Sequence, residues 1–293
     1  MFIATIIAAE RLQKGELSSA VSLLKEVGCT IQDVGAVQDD KAADIWFDGD
    51  PEMADEIMTS LRKTSDVGIL PAENRRKKLL ISDMDSTMIT VECIDELADY
   101  AGIKDQIAEI TERAMQGELD FEEALRGRIA LLKGLDESAI NQCLTERVRI
   151  MPGAHTLVKT MRELGAETIL VSGGFTSFAE PVAGNIGFER AEANVLGIVN
   201  NRLTGLLDGP VLDSTRKAEI LNQSIESSGL SAVDCLAVGD GANDIPMIER
   251  AGLGVAYHAK PKAAKAADVA INHNDLTALL YLQGISSSEW ASA

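Results

Sequence analysis

Aromatic residues are scarce: two Trp, three Tyr and six Phe in 293 residues, 4% of the chain. Aliphatic side chains must therefore fill the core, and hydrophobic residues at 46% suffice for a sizeable one. Cysteine is nearly as rare. Cys29, Cys93, Cys143 and Cys235 lie far apart and form no C-x-x-C pair, which excludes the usual zinc and dithiol motifs and leaves four buried, reduced thiols. With only His155, His258 and His273 there is no H-E-x-x-H either, and no G-x-x-x-x-G-K-[ST] marks a nucleotide kinase. Residues 1–9 are apolar but too brief to span a membrane and carry no basic signal-peptide region, so they read as a first strand of a cytoplasmic protein. Positive charge is also in deficit, with Lys+Arg 27 against Asp+Glu 46 and a net charge of −19. Such a field repels a nucleic-acid backbone. It repels a phosphorylated metabolite too, so a phosphate site here requires a metal ion or a few well-placed cations.

The length suits two domains. Residues 1–73 read as strand (2–8), helix (17–27, stopped by Gly28), two strands (30–37 and 42–47), helix (51–61) and strand (67–70). That order fits a ferredoxin-like α+β module. The run ENRRKK, residues 73–78, reads as a solvated linker. Beyond the short apolar segment 79–82, residues 91–150 are almost purely helical, with apolar positions three and four apart over 94–100, 107–115, 121–132 and 137–144. Four helices between two strands suggest a lid. Strand–helix alternation then resumes: helix 153–164, strand 168–171, a hairpin from 194–199 and 203–207, helix 214–226 with Ser214 as N-cap candidate, and strand 235–238. Further short elements follow at 244–250, 254–256, 262–266, 269–271 and 276–282. The fold class expected is α/β, a doubly wound parallel (Rossmann-like) sheet with an inserted helical cap, plus the small N-terminal ferredoxin-like domain. The expected boundaries are 1–75 for the N-terminal domain, 76–90 and 151–293 for the core, and 91–150 for the cap.

In open α/β sheets ligands bind beyond the carboxyl ends of strands, and three such ends carry polar clusters. After KKLLIS come Asp83-Met84-Asp85-Ser86-Thr87. Two carboxylates at i, i+2 repel one another unless a cation lies between them, and Mg2+ favours carboxylates with phosphate oxygens. One carboxylate can attack phosphorus and the other can move the leaving-group proton; an acidic, capping turn is the alternative. Ser172-Gly173-Gly174 follows the next strand, where glycines let backbone N–H groups approach a phosphate; a plain turn is an equal alternative. Gly239-Asp240-Gly241-Ala242-Asn243-Asp244 supplies two further carboxylates, Asp240 as a direct metal ligand and Asp244 behind it. Lys217 lies early in the 214–226 helix, where an ammonium can offset phosphoryl charge, or simply face solvent.

Taken in order, DMDST, SGG, Lys217 and GDGANDIPM resemble the four motifs of the haloacid dehalogenase-like phosphohydrolases. The resemblance implies Asp83 as nucleophile, Asp85 as general acid/base, Ser172 with Gly173 and Lys217 as phosphate binders, and a Mg2+ set of Asp83, Asp85 (through its backbone carbonyl), Asp240 and Asp244. From about residue 77 to 282 the chain is further similar to the phosphoserine phosphatases. DMDSTMITVECIDELA resembles their opening segment, which implies that Glu92 receives the substrate amino group. MQGELDFEEALRGRIALLKG resembles their helical cap, which implies Met115 and Phe121 as apolar walls and Arg128 as the fork for the substrate carboxylate. Asn243 matches a position near metal and substrate. The implied reaction is hydrolysis of phosphoserine, a small-molecule substrate, as the last step of serine biosynthesis. Two rivals stand: phosphoryl transfer from Asp83 to another alcohol, and an amino-acid sensor whose output comes from residues 1–73. That N-terminal region is somewhat like small amino-acid-binding regulatory domains; an inert module or a homodimer contact is equally compatible.

Overall fold

The computed structural model describes residues 1–115 and 118–292, with the side chain of Met115 outside the described set. Two sheets organise the chain. The first is built from β1 (Phe2–Ala8), α1 (Lys14–Glu26), β2 (Thr30–Gln38), β3 (Ala42–Asp48), α2 (Pro51–Ile57) and β4 (Ser65–Pro71). Its strand order is β2-β3-β1-β4, every neighbour antiparallel, as a ferredoxin-like module requires. One face carries Ala4, Ile6, Ile45, Phe47 and Val67, packed on Ala20 and Leu24 of α1 and on Ala54 and Met58. Asp50 caps α2 by accepting from Glu52 N and Met53 N at 2.9 and 3.3 Å. The helix expected over 51–61 tightens to a 3-10 turn from Met58, where the Thr59 hydroxyl bonds back to Glu56 O at 2.7 Å.

The second sheet begins with β5 (Leu79–Ser82), all four residues buried. The chain then leaves it for α3 (Cys93–Ala101), α4 (Lys104–Met115), α5 (Phe121–Leu131) and α6 (Ser138–Glu146), and returns through α7 (Ala154–Glu163). Gly102, at φ 67°, stops α3 in the left-handed region. Asp120 and Glu123 close a capping box on α5. The way out of and back to the sheet is one narrow neck: Thr90 N donates to Arg149 O at 3.0 Å and Met151 N to Met88 O at 2.9 Å, with Ile89 bridged to Ile150. After α7 come β6 (Glu167–Phe175), α8 (Thr176–Ile186), β7 (Arg190–Val199), β8 (Arg202–Asp208), α9 (Ser214–Ser228), β9 (Cys235–Gly239), α10 (Ile245–Arg250), β10 (Leu253–Tyr257), α11 (Pro261–Ala266), β11 (Val269–Ile271) and α12 (Ala278–Leu282). The order is β11-β10-β9-β5-β6-β7-β8, parallel except for the β7–β8 hairpin. Strands buried on both faces explain the continuous apolar runs. All four cysteines are buried and free. Among the described residues no helix is long and apolar enough to cross a membrane.

Several elements differ from the sequence expectation. Strand β6 does not end at Val171: pairing jumps from Val171–Glu192 to Phe175–Asn194, so Ser172–Gly174 form a bulge within it. Helix α8 has no counterpart in the sequence reading, because Pro181 and Gly184 break its pattern. Asp213, rather than Ser214, caps α9, accepting from Arg216 N at 2.8 Å.

The run 73–78 is solvated at Glu73, Asn74, Arg76 and Lys78 but not throughout. Arg75, with its side chain 14% exposed, pairs with buried Asp44 at 2.6 Å and donates to Thr5 Oγ1, Leu282 O and Tyr281 O. Lys77 N donates to Gln283 Oε1 at 2.9 Å. These contacts bind the rear face of the first sheet to the second, where Ile7, Ala42 and Leu70 join the main apolar core. Gly68 permits that approach, since a Cβ there would lie 2.8 Å from Leu282 Cδ2.

Candidate active site

The site gathers where β5, β6 and β9 end, as strand topology dictates. Asp83 N donates to Val238 O at 2.9 Å, which ties the first motif to β9. The Met84 carbonyl then accepts from Thr87 N, Met88 N and Ile89 N, and Ser86 takes φ 59°, so the chain turns sharply and holds Asp83 and Asp85 at the sheet edge. Asp83 is 4% exposed.

Lys217, on the first turn of α9, is 1% exposed and meets two carboxylates: Asp83 Oδ1, in a very short contact, and Asp244 Oδ1 at 2.7 Å. It is not a solvated helical lysine. Burial works against its charge, but Asp244 and Asp83 more than offset that and hold its pKa above the ordinary value. The carboxylates are pushed the other way. Burial, then repulsion from Asp244, raises Asp83 well above the usual carboxylate range despite Lys217. The same two causes raise Asp240 to about 6. Burial and then Glu92 raise Asp85 to about 7, with the hydrogen bonds from Cys93 pulling back. One ammonium cannot neutralise this many carboxylates.

Ligand oxygens of Asp83, Asp240 and Asp244 lie within 4.8 Å of one another. A hard, all-oxygen donor set that repels itself fits a divalent cation of the Mg2+ or Ca2+ kind. Asp244, expected behind Asp240, lies in this cluster too, with Oδ1 on Lys217 and Oδ2 on Gly241 N, and the Asp85 carboxylate is not part of it. Glycine makes the crowding feasible, because a Cβ on Gly239 would collide with the Asp244 carboxyl. Gly241 N donates to Asp244 Oδ2 at 3.0 Å, beside Asn243.

The bulge in β6 supplies the opposite wall. Ser172 is 1% exposed and its Oγ accepts from Gly174 N at 2.8 Å. A Cβ on Gly174 would stand 3.1 Å from Asp85 Oδ2, so this backbone lies directly beside Asp85. Gly173 is covered from above: a Cβ there would be 3.4 Å from Phe121 Cζ, so α5 rests on the bulge. Glu92, the residue before α3, accepts from Ser86 Oγ at 2.8 Å. Arg128, on α5, donates through Nε to Ala124 O at 3.4 Å and makes no ion pair among the described residues. Burial lowers its pKa, while Asp95 and Glu92 act the other way. Glu92 thus lies close enough to act on the Arg128 guanidinium electrostatically. Met115, expected as an apolar wall, has its side chain outside the described residues.

Two supporting groups escaped the sequence reading. Asn194, 2% exposed, donates to Gly173 O at 2.8 Å and accepts from Leu212 N at 2.7 Å, so it clamps the bulge to the approach to α9. Lys260 donates its backbone N–H to Asp240 O at 3.0 Å and draws down the Asp240 pKa. Neither lies in a recognisable motif: Asn194 acts from β7 and Lys260 from the loop after β10.

A model of the haloacid dehalogenase-like hydrolases matches residues 77–252. The phosphoserine phosphatase of Streptomyces coelicolor is 43% identical over 226 residues, 76% of this chain and 55% of that protein. The crystal structure of an unliganded probable phosphoserine phosphatase from Vibrio cholerae superposes with a TM-score of 0.79 at 32% identity, covering 98% of this chain and 88% of that one. A phosphoserine phosphatase holding an analogue of a phospho-aspartyl intermediate superposes at 0.65 with 38% identity, covering 70% of this chain and 98% of that one. The carboxylate cluster at the sheet edge and these relationships agree: the chain belongs to the haloacid dehalogenase-like hydrolases.

Proposed function

We propose that the protein is a Mg2+-dependent phosphomonoesterase that hydrolyses O-phospho-L-serine to serine and phosphate through a phospho-aspartate on Asp83, as the last step of serine biosynthesis. The observation that carries this reading is the convergence of Asp83, Asp240, Asp244 and buried Lys217 at the sheet edge; the influence of Glu92 on the half-buried Arg128 supports the substrate. The names of the relatives support the substrate.

Mg2+ would be held by Asp83, Asp240 and Asp244 with the Asp85 carbonyl, and would polarise the phosphoryl oxygens and keep Asp83 ionised. An Asp83 carboxylate oxygen attacks phosphorus in line, and the bond from phosphorus to the serine oxygen breaks. The Ser172 hydroxyl, the Gly173 N–H and the Lys217 ammonium hold the equatorial oxygens. Asp85, raised to a pKa of about 7, can hold a proton near neutral pH and gives it to the departing serine oxygen. It then takes a proton from water as that oxygen attacks phosphorus, releasing phosphate and the Asp83 carboxylate. Glu92 receives the substrate ammonium and Arg128 its carboxylate, with Phe121 and Met115 as apolar walls and Asn243 at the rim. Closure of the cap keeps bulk water from the intermediate.

Phosphate release from L-phosphoserine, D-phosphoserine, phosphothreonine, a sugar phosphate and an aryl phosphate, with Mg2+ or with EDTA, tests this. Preference for L-phosphoserine that EDTA abolishes is expected. Preference for another ester discards the substrate and keeps the chemistry; turnover that survives EDTA discards the metal.

A further inference from the structure

Four strand ends stand side by side at the carboxyl edge of the second sheet, in the order β5, β9, β10, β11. The first two bear Asp83 and Asp240. The loops after β10 and β11 carry no catalytic motif, yet all three loops after β9, β10 and β11 are cross-tied. Lys260 N, after β10, donates to Asp240 O at 3.0 Å. His258, also after β10, places Nε2 3.1 Å from Asn274 O, after β11, and donates its own N–H to Ile271 O at 2.8 Å. Its backbone takes φ 43°, a left-handed conformation uncommon outside glycine.

The far end of this row is anchored from outside the sheet. Asp66, at the start of β4 in the first sheet, is 2% exposed. Its Oδ1 accepts from Asn272 N at 2.7 Å and His273 N at 3.2 Å; its Oδ2 accepts from Asn274 N at 3.1 Å and Asn274 Nδ2 at 2.8 Å. Three consecutive backbone N–H groups and a side-chain amide therefore close on one carboxylate. Asn274 Nδ2 reaches Ile7 O as well, at 3.2 Å, and His273 Nε2 lies 3.0 Å from Arg62 O. The β11 loop is thus pinned to the N-terminal unit, the β10 loop to the β11 loop, and Asp240 to the β10 loop.

We propose that Asp66 is a positioning residue for the cation site: it fixes the row of loops that ends in the Asp240 backbone, so the N-terminal sheet sets the metal affinity of the core. This rests on the reading of Asp83, Asp240 and Asp244 as metal ligands. Asp66 touches no ligand itself; it acts through relayed contacts, the last of them from Lys260 N to the Asp240 backbone carbonyl, that fix where the ligand sits. The N-terminal unit is then part of the catalytic domain's framework and not a detachable appendage.

Calorimetric titration of full-length, metal-free protein with MgCl2 tests the proposal without reading turnover. The comparison includes wild type, Asp66→Asn, His258→Asn, Asp240→Asn as a ligand control and Asp44→Asn as an interface control. Asp44 joins the same two sheets through Arg75, and its side-chain hydrogen bonds among the described residues run to Arg75 and Thr5 and not to the loops in the row. Asp66→Asn is expected to weaken Mg2+ binding about threefold, and His258→Asn less but in the same direction, below the roughly tenfold or more that loss of a partner bonded directly to a ligand costs. Asp44→Asn should lower the unfolding temperature and leave Mg2+ affinity at the wild-type value. Wild-type affinity in Asp66→Asn, or an equal loss in Asp44→Asn, overturns the proposal and leaves the metal reading standing. If wild type itself binds no divalent ion, both fall. Should Asp66→Asn fail to fold, His258→Asn decides alone, since Asn tolerates the left-handed backbone and unchanged affinity there is equally fatal.

Discussion

Both sheets bury carboxylates, and they treat them in opposite ways. In the N-terminal sheet Asp44 and Asp66 are each met by donors on every side: the Arg75 fork and the Thr5 hydroxyl for one, four N–H groups for the other. At the edge of the second sheet Asp83, Asp240 and Asp244 face one another with a single buried ammonium among them, and burial and mutual repulsion lift Asp83 and Asp240 above the ordinary range. A buried acid whose lone pairs are filled acts as a fastener between layers. A buried acid left short of partners stores the electrostatic cost that a cation and a phosphoryl group can relieve.

The sharpest way to break the contrast is at Asp83. Asp83→Asn removes the nucleophile while keeping its shape, and phosphate release should fall by a factor on the order of 10⁴ or more. Near-normal turnover would move the chemistry elsewhere. Next in size is the opposite class. Asp44→Asn strands the Arg75 guanidinium and should cost about 3 kcal/mol in denaturant unfolding, with kcat and KM of the folded protein unchanged. A stable variant with damaged catalysis would erase the distinction between fastener and site. Arg128→Ala sharpens it further, because Arg128 is a half-buried cation that makes no ion pair among the described residues. A loss of about 2–3 kcal/mol, roughly 100-fold in kcat/KM, is expected with phosphoserine, and little with an aryl phosphate that lacks a carboxylate. Equal losses on both would make Arg128 a packing residue.

The smallest effect belongs to Asp234, at the bottom of β9. Hydrogen bonds from Ser231 and then Lys78 hold its pKa down at about 2. A depressed carboxylate contributes stability in full above its unfolded pKa, about 4, and loses it as pH falls through the folded value. The unfolding-temperature gap between wild type and Asp234→Asn should therefore be constant from pH 7 to about 4 and close near pH 2. A gap that persists at pH 2 would assign it to packing.

What the sequence revealed and what it hid follow from range. Asp83, Asp85 and Asp240 were legible because they sit at the ends of apolar strand runs, Asp244 because it closes the Asp/Gly/Asn-rich turn after one, and the cap was legible from helical spacing between glycines. Local patterns cannot show what a residue meets across the sheet. The Ser172 bulge depends on β7 supplying Glu192 and Asn194 at a jumped register. Arg75 reads as one charge in a basic run until Asp44 appears opposite it, and Asp66 has its partners more than 200 residues away. Helix α8 was lost to Pro181, whose cost is outweighed by buried Phe178, Ala179, Val182, Ala183 and Ile186.

The neck through which the cap leaves and rejoins the core has a consequence for how the chain assembles. Joining Met88–Thr90 to Arg149–Met151 ties off a loop of roughly 60 residues, a closure entropy of about 3–4 kcal/mol. Once tied, the sequence distance between β5 and β6 shrinks in effect from roughly 90 residues to roughly 30, and slow parallel pairing becomes nearly local. The insertion that shields the site would thus hasten the sheet beneath it, provided the neck closes first.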